Sequence, residues 1–318
     1  MPKKRASVSK TKSTNSSKRS RKGKFADARI FSKSSNGRGP STRLAKQDLA
    51  EQPKLPKLPK GGLRDIGELS FGKRPKRPSP TPPEFGVAGS VADRVRVQDV
   101  SQSPFRKVCD LLITAGDGSL HSGTAWFVSP RMLVTAGHCI AVFQPGTATH
   151  GMVNKILVMA ARNGETNAAN SLFGWIEVPQ ENLRVHDRWR LNGDLDFDYG
   201  AIILPPNFPL GAKVGVFGFA HFPDQSLNGA RATLTGYPDN VPEGTQWFES
   251  NPIRSVTPNH IFYDIFTFGG QSGSPVFFAN NTQQIACAIH NFGDVPFNRG
   301  VRINQSVSDQ LQVWQAGL

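Results

Sequence analysis

Ser272 lies within GGQSGSPVF (269–277), a glycine-rich turn that runs directly into an apolar strand. A serine hydroxyl is a weak nucleophile unless a neighbouring imidazole removes its proton. A tight turn with glycine beside the serine also points backbone N–H groups at one place, where they stabilise a developing oxyanion. The stretch therefore predicts a nucleophilic serine, with the backbone N–H groups of Gly270 and Ser272 forming an oxyanion hole.

The base and the acid that such a serine needs occur upstream, in VTAGHC (134–139) and DFDYGAIIL (196–204). His138 stands at the end of one apolar run, and Asp198 leads into another. A buried carboxylate fixes the tautomer of the imidazole and stabilises the imidazolium that forms during reaction. The three motifs together predict a catalytic triad that ends at Ser272.

Short apolar and β-branched runs follow one another from about residue 87, separated by Gly, Pro, Asn and Asp. This pattern is typical of short β-strands. The last run, SVSDQLQVWQ (306–315), has the spacing of a helix, for which Ser306 or Ser308 is the expected N-cap. Many short strands with one closing helix predict an all-β barrel or sandwich.

The motifs, in this order, resemble those of chymotrypsin-like serine peptidases, and in particular the bacterial glutamyl endopeptidase branch. The likeness covers roughly residues 87–316. It implies two antiparallel six-stranded β-barrels, divided near 205–215, with the active site in the cleft between them and a helix at the C-terminus. His138 and Asp198 would come from the first barrel and Ser272 from the second. Three further stretches share the likeness: VADRVRVQDVSQSPFRKV (91–108), GYPDN (236–240) and AIHNFG (288–293).

The acid of the triad has two alternatives nearby in the sequence, Asp194 and Asp196. Either could supply a carboxylate to the histidine. The pattern of the resembled family favours Asp198, which alone stands directly before the strand YGAIIL. We therefore predict Asp198 as the acid.

Substrate preference follows from two further positions that the resemblance identifies. In that branch a histidine after the serine and a hydroxyl residue before it line the primary specificity pocket. His290 and Thr267 stand at the matching positions. An imidazolium and a hydroxyl can hydrogen-bond a carboxylate. The resemblance thus implies cleavage after Glu, or after Asp; the alternative is that His290 only caps a strand end.

The sequence departs from the family pattern at its cysteines and beside the serine. Three cysteines are too few, and odd in number, for a disulfide framework. His121 stands where the usual partner of Cys139 would be, which leaves Cys109 as the only nearby cysteine that could substitute. Gln271 stands where chymotrypsin and trypsin have an aspartate, which argues against trypsin-style zymogen activation.

Residues 1–86 have another composition and are expected to form a disordered tail ahead of a peptidase domain at 87–318. Residues 1–84 carry 23 Lys and Arg against 6 Asp and Glu, and the rest of the chain 15 against 18, so the net charge of +14 comes from the tail. Such a segment cannot bury enough apolar surface to fold. It could contact nucleic acid or anionic lipid, or be a pro-segment removed near Val87, after Glu84.

No Cys or His spacing suits a structural metal, and no cofactor is expected. No apolar run follows the basic N-terminus, so no signal peptide is predicted, and no stretch is long enough to span a membrane. We expect a soluble monomeric hydrolase of protein or peptide substrates, cytoplasmic (or nuclear in a eukaryote) as synthesised, or exported by a non-classical route. The alternative is a catalytically silent scaffold whose basic tail binds nucleic acid or an anionic surface.

Overall fold

A computed structural model describes residues 62–71, 94–164, 171–280, 282–293 and 297–318. The strands up to the middle of the chain are β1 (Arg64–Asp65), β2 (Val95–Arg96), β3 (Val108–Thr114), β4 (Leu120–Phe127), β5 (Met132–Thr135), β6 (Ala141–Val142), β7 (Gly151–Met152), β8 (Lys155–Ala160), β9 (Trp175–Pro179), β10 (Leu183–Val185) and β11 (Gly200–Ile203). The later strands are β12 (Gly218–Phe219), β13 (Arg231–Gly236), β14 (Trp247–Val256), β15 (His260–Tyr263), β16 (Pro275–Ala279), β17 (Gln284–Phe292) and β18 (Asn298–Arg302). The helices are α1 (Gly67–Phe71), α2 (Asp187–Asn192), α3 (Leu210–Val214), α4 (Asp224–Leu227) and α5 (Gln305–Ala316).

The first sheet runs in the order β10-β11-β5-β4-β3-β8-β9, with every one of these neighbours antiparallel. Only the 3-10 helix Gln180–Asn182 separates β9 from β10, so they are two halves of one bent strand. That strand joins the two ends of the sheet and makes it a six-stranded barrel. Full closure satisfies the strand edges, which an open sheet would leave unpaired.

The second barrel is a closed ring of β17, β16, β13, β14, β15 and β18, because β18 also pairs with β17. All six pairings of this ring are antiparallel. Short β12 and β2 add to the outside, on β17 and β14 respectively. The all-β architecture of two barrel-like sheets and a C-terminal helix confirms the predicted fold class.

Side chains of β3 show how the first barrel is filled, since alternate residues of a strand point to opposite faces. Cys109, Leu111 and Ile113 all lie in the core of this barrel. Val108, on the other face, belongs to a separate apolar cluster that joins the two barrels. That cluster packs residues of both barrels and of α5 together: Trp126, Tyr199, Phe277, Ile289 and Leu311 among others.

The C-terminal helix α5 begins at Gln305, one residue before the run 306–315 that the sequence predicts, and its N-cap is neither Ser306 nor Ser308. Asn304 is the N-cap, and its side-chain oxygen accepts a hydrogen bond from the Val307 N–H at 3.0 Å. A cap residue must itself be outside the helix, and Asn304 is extended whereas both serines are helical. Among the described residues no helix is long and apolar enough to cross a bilayer.

The structure departs from the expectation of a wholly disordered tail over residues 62–71. This stretch, here called the 62–71 segment, forms β1 and α1, and β1 pairs in parallel with β4. Ile66 is fully buried in the core of the first barrel, and Leu69 packs against that core. The segment therefore buries apolar side chains against the first barrel, although the basic residues around it made a folded structure unexpected.

Arg162 forms an ion pair that is buried beside the first barrel. Its guanidinium contacts Asp110 Oδ2 at 2.6 Å and Glu243 Oε1 at 2.9 Å, and the arginine side chain is only 2% exposed. Burial raises the pKa of Asp110 to about 6, although Arg162 opposes that shift. Removing one partner of such a pair leaves a buried charge without compensation.

Arg162→Met is therefore expected to lower the free energy of unfolding by about 3–5 kcal/mol. The deficit should shrink as the pH falls towards about 6, because without Arg162 the pKa of Asp110 lies above that value, so the carboxyl of the variant is then increasingly protonated and needs no countercharge. Urea denaturation at two pH values measures both effects. Lys155→Met is the matched control, because the Lys155–Glu177 pair is half exposed and should contribute less than about 1 kcal/mol. Equal losses in the two variants would contradict the argument.

Candidate active site

His138 and Asp198 lie side by side because the strands that carry them are neighbours. His138 belongs to a 3-10 turn after β5, Asp198 stands two residues before β11, and β5 pairs antiparallel with β11. His138 Nδ1 lies 2.8 Å from Asp198 Oδ2, and the His138 backbone N–H donates to Asp198 Oδ1 at 2.7 Å. Both side chains are almost fully buried. The carboxylate thus holds the ring through one bond and its backbone through another.

The two alternative acids bind other groups. Asp194 accepts a hydrogen bond from the Asp196 N–H and pairs with Arg188 at the surface. Asp196 accepts from Asn259 Nδ2 at 2.7 Å. Both side chains therefore cap or brace the turn that precedes Asp198.

The electrostatics at His138 favour the protonated ring. Burial is the largest single effect and lowers the pKa of His138, but the adjacent Asp198 carboxylate and the Cys139 side chain together raise that pKa well above its usual value. An imidazolium held by a buried carboxylate is the state that a general base reaches after taking a proton.

Ser272 lies in a turn whose backbone requires glycine on both sides. Gly270 has φ +84° and Gly273 has φ +89°, values that other residues rarely adopt. A Cβ at Gly270 would collide with the carbonyl oxygen of Tyr237, and one at Gly273 with that of Thr124. Thr124 of β4 also donates its backbone N–H to the Ser272 carbonyl at 2.8 Å. The turn of the second barrel is therefore fastened directly to the first.

Gln271 has a local partner within the same turn. Its side-chain Oε1 accepts a hydrogen bond from the Phe268 N–H at 2.9 Å, and the residue is 1% exposed. The turn is therefore braced by an uncharged side chain from inside itself. Bracing of this kind does not require an ion pair between residue 271 and a newly formed amino terminus, which is the pair that trypsin-style activation uses.

Asp65 of the 62–71 segment also lies in this site, which the sequence analysis missed. Its carboxylate accepts hydrogen bonds from Gly270 N–H at 2.9 Å and from Ser272 Oγ at 2.9 and 3.2 Å. The signal available in the sequence was LRDIGELSF (63–71), which places four large apolar residues in a tail that is otherwise poor in them. Those residues indicate a packed segment, but nothing in the sequence indicates where it packs.

His290 lies on β17, directly beside the Ser272 turn. The His290 backbone N–H donates to the Ser274 carbonyl at 2.9 Å, and its carbonyl accepts from the Gly273 N–H at 2.7 Å. Its buried ring meets the Tyr263 hydroxyl through Nδ1 at 2.7 Å. Thr267 is also buried, and within the described residues its Oγ1 has no hydrogen-bond partner.

All three cysteines are buried free thiols, so Cys139 does not pair with Cys109. The Cys139 Sγ lies 3.7 Å from the Ser272 carbonyl oxygen. Burial raises the pKa of the Cys109 thiol well above its usual value, which keeps that thiol protonated and unreactive. His121, where the usual partner of Cys139 would be, contacts Ser119 Oγ at 2.9 Å instead.

Two closed antiparallel β-barrels with a histidine, an aspartate and a serine at their junction define a chymotrypsin-like fold. A solved structure of a Glu endopeptidase has this fold: it matches with a TM-score of 0.60 at 24% identity, over 73% of this chain and 100% of that one. The sequence model of the trypsin-like peptidase domain matches residues 123–285.

Relatives in sequence support the same family. The glutamyl endopeptidase of Bacillus licheniformis is 31% identical over 262 residues, which is 80% of this chain and 77% of that protein. A protein named extracellular metalloprotease from Bacillus subtilis is 31% identical over 70% of this chain and 67% of its own length. Within the described ranges, no group of three or more His, Cys, Asp or Glu side chains could hold a metal ion. The chain belongs to the trypsin-like serine peptidase family and is a hydrolase of peptide bonds.

Proposed function

We propose that this serine endopeptidase uses Ser272 as nucleophile, His138 as base and Asp198 as orienting acid, and that it cleaves after Glu, or after Asp. The observation that carries the assignment is the convergence of Ser272 Oγ and Gly270 N–H on one carboxylate, that of Asp65. A nucleophile and an oxyanion donor must reach the same carbonyl group of a substrate. Their meeting on one pair of oxygen atoms is the geometry that acyl transfer requires.

The reaction then follows from the chemistry of these groups. The Ser272 hydroxyl attacks the carbonyl carbon while His138 Nε2 takes its proton, and the N–H groups of Gly270 and Ser272 stabilise the oxyanion. His138 returns the proton to the leaving amine, which breaks the peptide bond and leaves an acyl group on Ser272. Water, deprotonated by His138, releases the acid and restores the serine.

The preference for Glu is supported by the surroundings of His290. Because Tyr263 engages Nδ1, Nε2 is the ring nitrogen that would meet a substrate carboxylate. The Tyr263 hydroxyl can donate to the neutral ring or accept from the charged one, so it supports an Nε2–H donor in either state. A histidine donor and the Thr267 hydroxyl suit a carboxylate better than a neutral amide. The similar protein from Bacillus licheniformis is named for glutamyl specificity.

Reporter peptides that differ only in Glu or Gln before the scissile bond test this preference. We expect kcat/KM to be about 10- to 100-fold higher for Glu, the range that one charge-assisted hydrogen bond contributes. His290→Ala should remove most of this ratio by slowing Glu cleavage while Gln cleavage changes little. Lys and Phe reporters complete the panel.

His150→Ala is the matched control, since His150 is an exposed histidine whose ring contacts the nearby residues 142–144. This variant should keep the wild-type ratio of Glu to Gln cleavage. A wild-type enzyme that prefers Lys, Arg or Phe would contradict the proposed specificity, as would a His290→Ala variant with an unchanged ratio.

Two proposals concern parts of the chain outside the described residues. We propose that the tail is removed near Val87, after Glu84, because Glu84 is the acid at which a Glu-preferring enzyme would cut. Contact of the basic residues with nucleic acid or anionic lipid is a second one, supported only by their charge. Such binding should weaken steeply with salt and disappear when residues 1–84 are absent.

A further inference from the structure

The 62–71 segment enters the active site as an added strand. Along most of its length β4 is paired on one side by β3, whereas β5 covers its other side only at Trp126 and Phe127. β1 takes the place beside the first residues of β4, where Arg64 and Asp65 lie opposite His121 and Ser122. The Ile66 N–H continues this pairing by donating to the Ser122 carbonyl at 3.3 Å. The backbone of the segment is thereby held in register with the site.

This register places the Asp65 carboxylate in the oxyanion site. Asp65 is 1% exposed, and Oδ2 accepts the Gly270 N–H that would otherwise bind a substrate carbonyl oxygen. Oδ1 accepts the Gly67 N–H at 2.6 Å, and Ser272 Oγ donates to both oxygens. Hydrogen bonds to an ionised acceptor are about twice as strong as neutral ones. A carboxylate carbon is a poor electrophile and carries no leaving group, so Ser272 cannot turn this occupant over.

The far end of the segment covers the histidine. The Phe71 ring packs edge-on against His138 at a centroid distance of 5.4 Å, and it also contacts Trp189 and Phe292. Ser70 Oγ accepts a hydrogen bond from the Phe143 N–H at 3.0 Å. Within the described residues His138 Nε2 has no hydrogen-bond partner, since the Ser272 hydroxyl is directed to Asp65. One short segment therefore prevents the nucleophile, Ser272, from interacting with its base, His138.

We propose that the 62–71 segment is an inhibitor built into the chain, and that the oxyanion site binds it as a peptide ligand through the Asp65 carboxylate. The proposal rests on the proposed catalytic role of Ser272. Ile66 and Leu69 anchor the segment in the barrel, Phe71 caps the base, and Asp65 takes the position of the substrate carbonyl. The ligand class is thus a peptide with an aspartate at the end of a short strand, followed, six residues later and after a helical turn, by an aromatic ring. Such a peptide should also inhibit when supplied as a separate molecule.

The test compares the full-length wild type with Asp65→Asn and Asp65→Ala. A small fluorophosphonate reagent phosphonylates an activated serine, and intact-mass analysis follows its rate without requiring any substrate preference. Loss of the charge-assisted bonds should speed labelling of Ser272 and peptide turnover by about 10- to 100-fold. Glu68→Gln is the matched control, an acid on the same segment that is only partly buried, and it should label at the wild-type rate.

A second measurement does not depend on the variants folding identically. A synthetic peptide of residues 62–71 is added to the full-length Asp65→Ala chain at millimolar concentration, so that it competes with the tethered segment, and the same peptide with alanine in place of Asp65 serves as its control. The aspartate peptide should slow labelling and the alanine peptide should not. Two active peptides, or two inactive ones, would overturn the role given to the carboxylate.

The outcomes separate this inference from the proposed function. Equal labelling of the wild type, Asp65→Asn and Asp65→Ala overturns the inhibitor and leaves the triad in place. Faster labelling without any preference for Glu overturns only the proposed specificity. Absence of Ser272 labelling in every variant overturns both the inhibitor and the catalytic assignment.

Discussion

Replacing Ser272 with alanine is expected to lower kcat/KM for peptide hydrolysis by about 10⁶-fold, because no other group can attack the carbonyl and carry the acyl intermediate. The remaining activity comes from binding and from the oxyanion donors, which alanine leaves in place. Turnover should be compared between Asp65→Asn and the double variant Asp65→Asn/Ser272→Ala, so that occupancy of the cleft does not hide the effect. The wild type and Ser272→Ala, both with Asp65 in place, are compared in the same way. The difference between the wild-type rate and the Asp65→Asn rate then measures how far the segment suppresses turnover.

Ser274→Ala is the matched control for this prediction. Ser274 lies in the same turn and is equally buried, but its Oγ has no hydrogen-bond partner among the described residues. Its loss should change kcat/KM by less than about tenfold, since no reacting group contacts the hydroxyl. Equal losses of kcat/KM for Ser272→Ala and Ser274→Ala would mean that both substitutions disturb the turn, and that the loss does not report the removal of a nucleophile.

Asp198→Asn is expected to lower kcat by about 10⁴-fold. The asparagine keeps the shape of the side chain, but its NH₂ group would face His138 Nδ1 and favour the wrong tautomer of the ring. It would also lose the negative charge that stabilises the imidazolium. Peptide turnover in the Asp65→Asn background measures the change, with thermal unfolding to verify that the barrel is intact.

Asp194→Asn and Asp196→Asn are the controls, because these acids are the two alternatives and their side chains bind other groups. Each should change kcat by far less than Asp198→Asn. A larger loss for either of them would transfer the role of the acid to that residue.

The pH profile provides a readout that a purely structural role of Asp198 would not change. His138 must be neutral to take a proton, and Asp198 raises its pKa. The acid limb of kcat/KM should therefore lie at a lower pH in Asp198→Asn, because the ring then loses its proton more easily. An unchanged acid limb would contradict the assignment.

The sequence alone identified the fold class and the peptidase family because the short motifs around His138, Asp198 and Ser272 are distinctive in their local context. Asp198 could be chosen over Asp194 and Asp196 because its distance from the following strand is a local property. The structure then gave the reason, since β5 and β11 are neighbours and bring Asp198 to His138.

The contact of Asp65 with Ser272 could not be predicted in the same way. The contact depends on the pairing of β1 with β4, which lie more than fifty residues apart in the sequence. It also depends on which part of β4 has an edge that no other strand pairs with. The basic composition around the segment concealed it, because average composition says nothing about one short apolar stretch.

The bond from Tyr263 to His290 was missed for a similar reason, since it joins residues on two separate strands of the closed barrel. The N-cap at Asn304 was missed because helix ends are locally ambiguous by a residue or two.

The 62–71 segment is joined to the enzyme only through residues 72–93, which carry Glu84. A single cut after Glu84 would break no contact between the segment and the cleft; it would only turn an intramolecular ligand into a separate one. A short tether maintains an effective concentration near the millimolar range, whereas a free fragment is present only at the concentration of the protein. Cleavage and activation are then separate events, and the second is governed by dilution. A nicked enzyme would stay silent where it is concentrated and become active once it disperses.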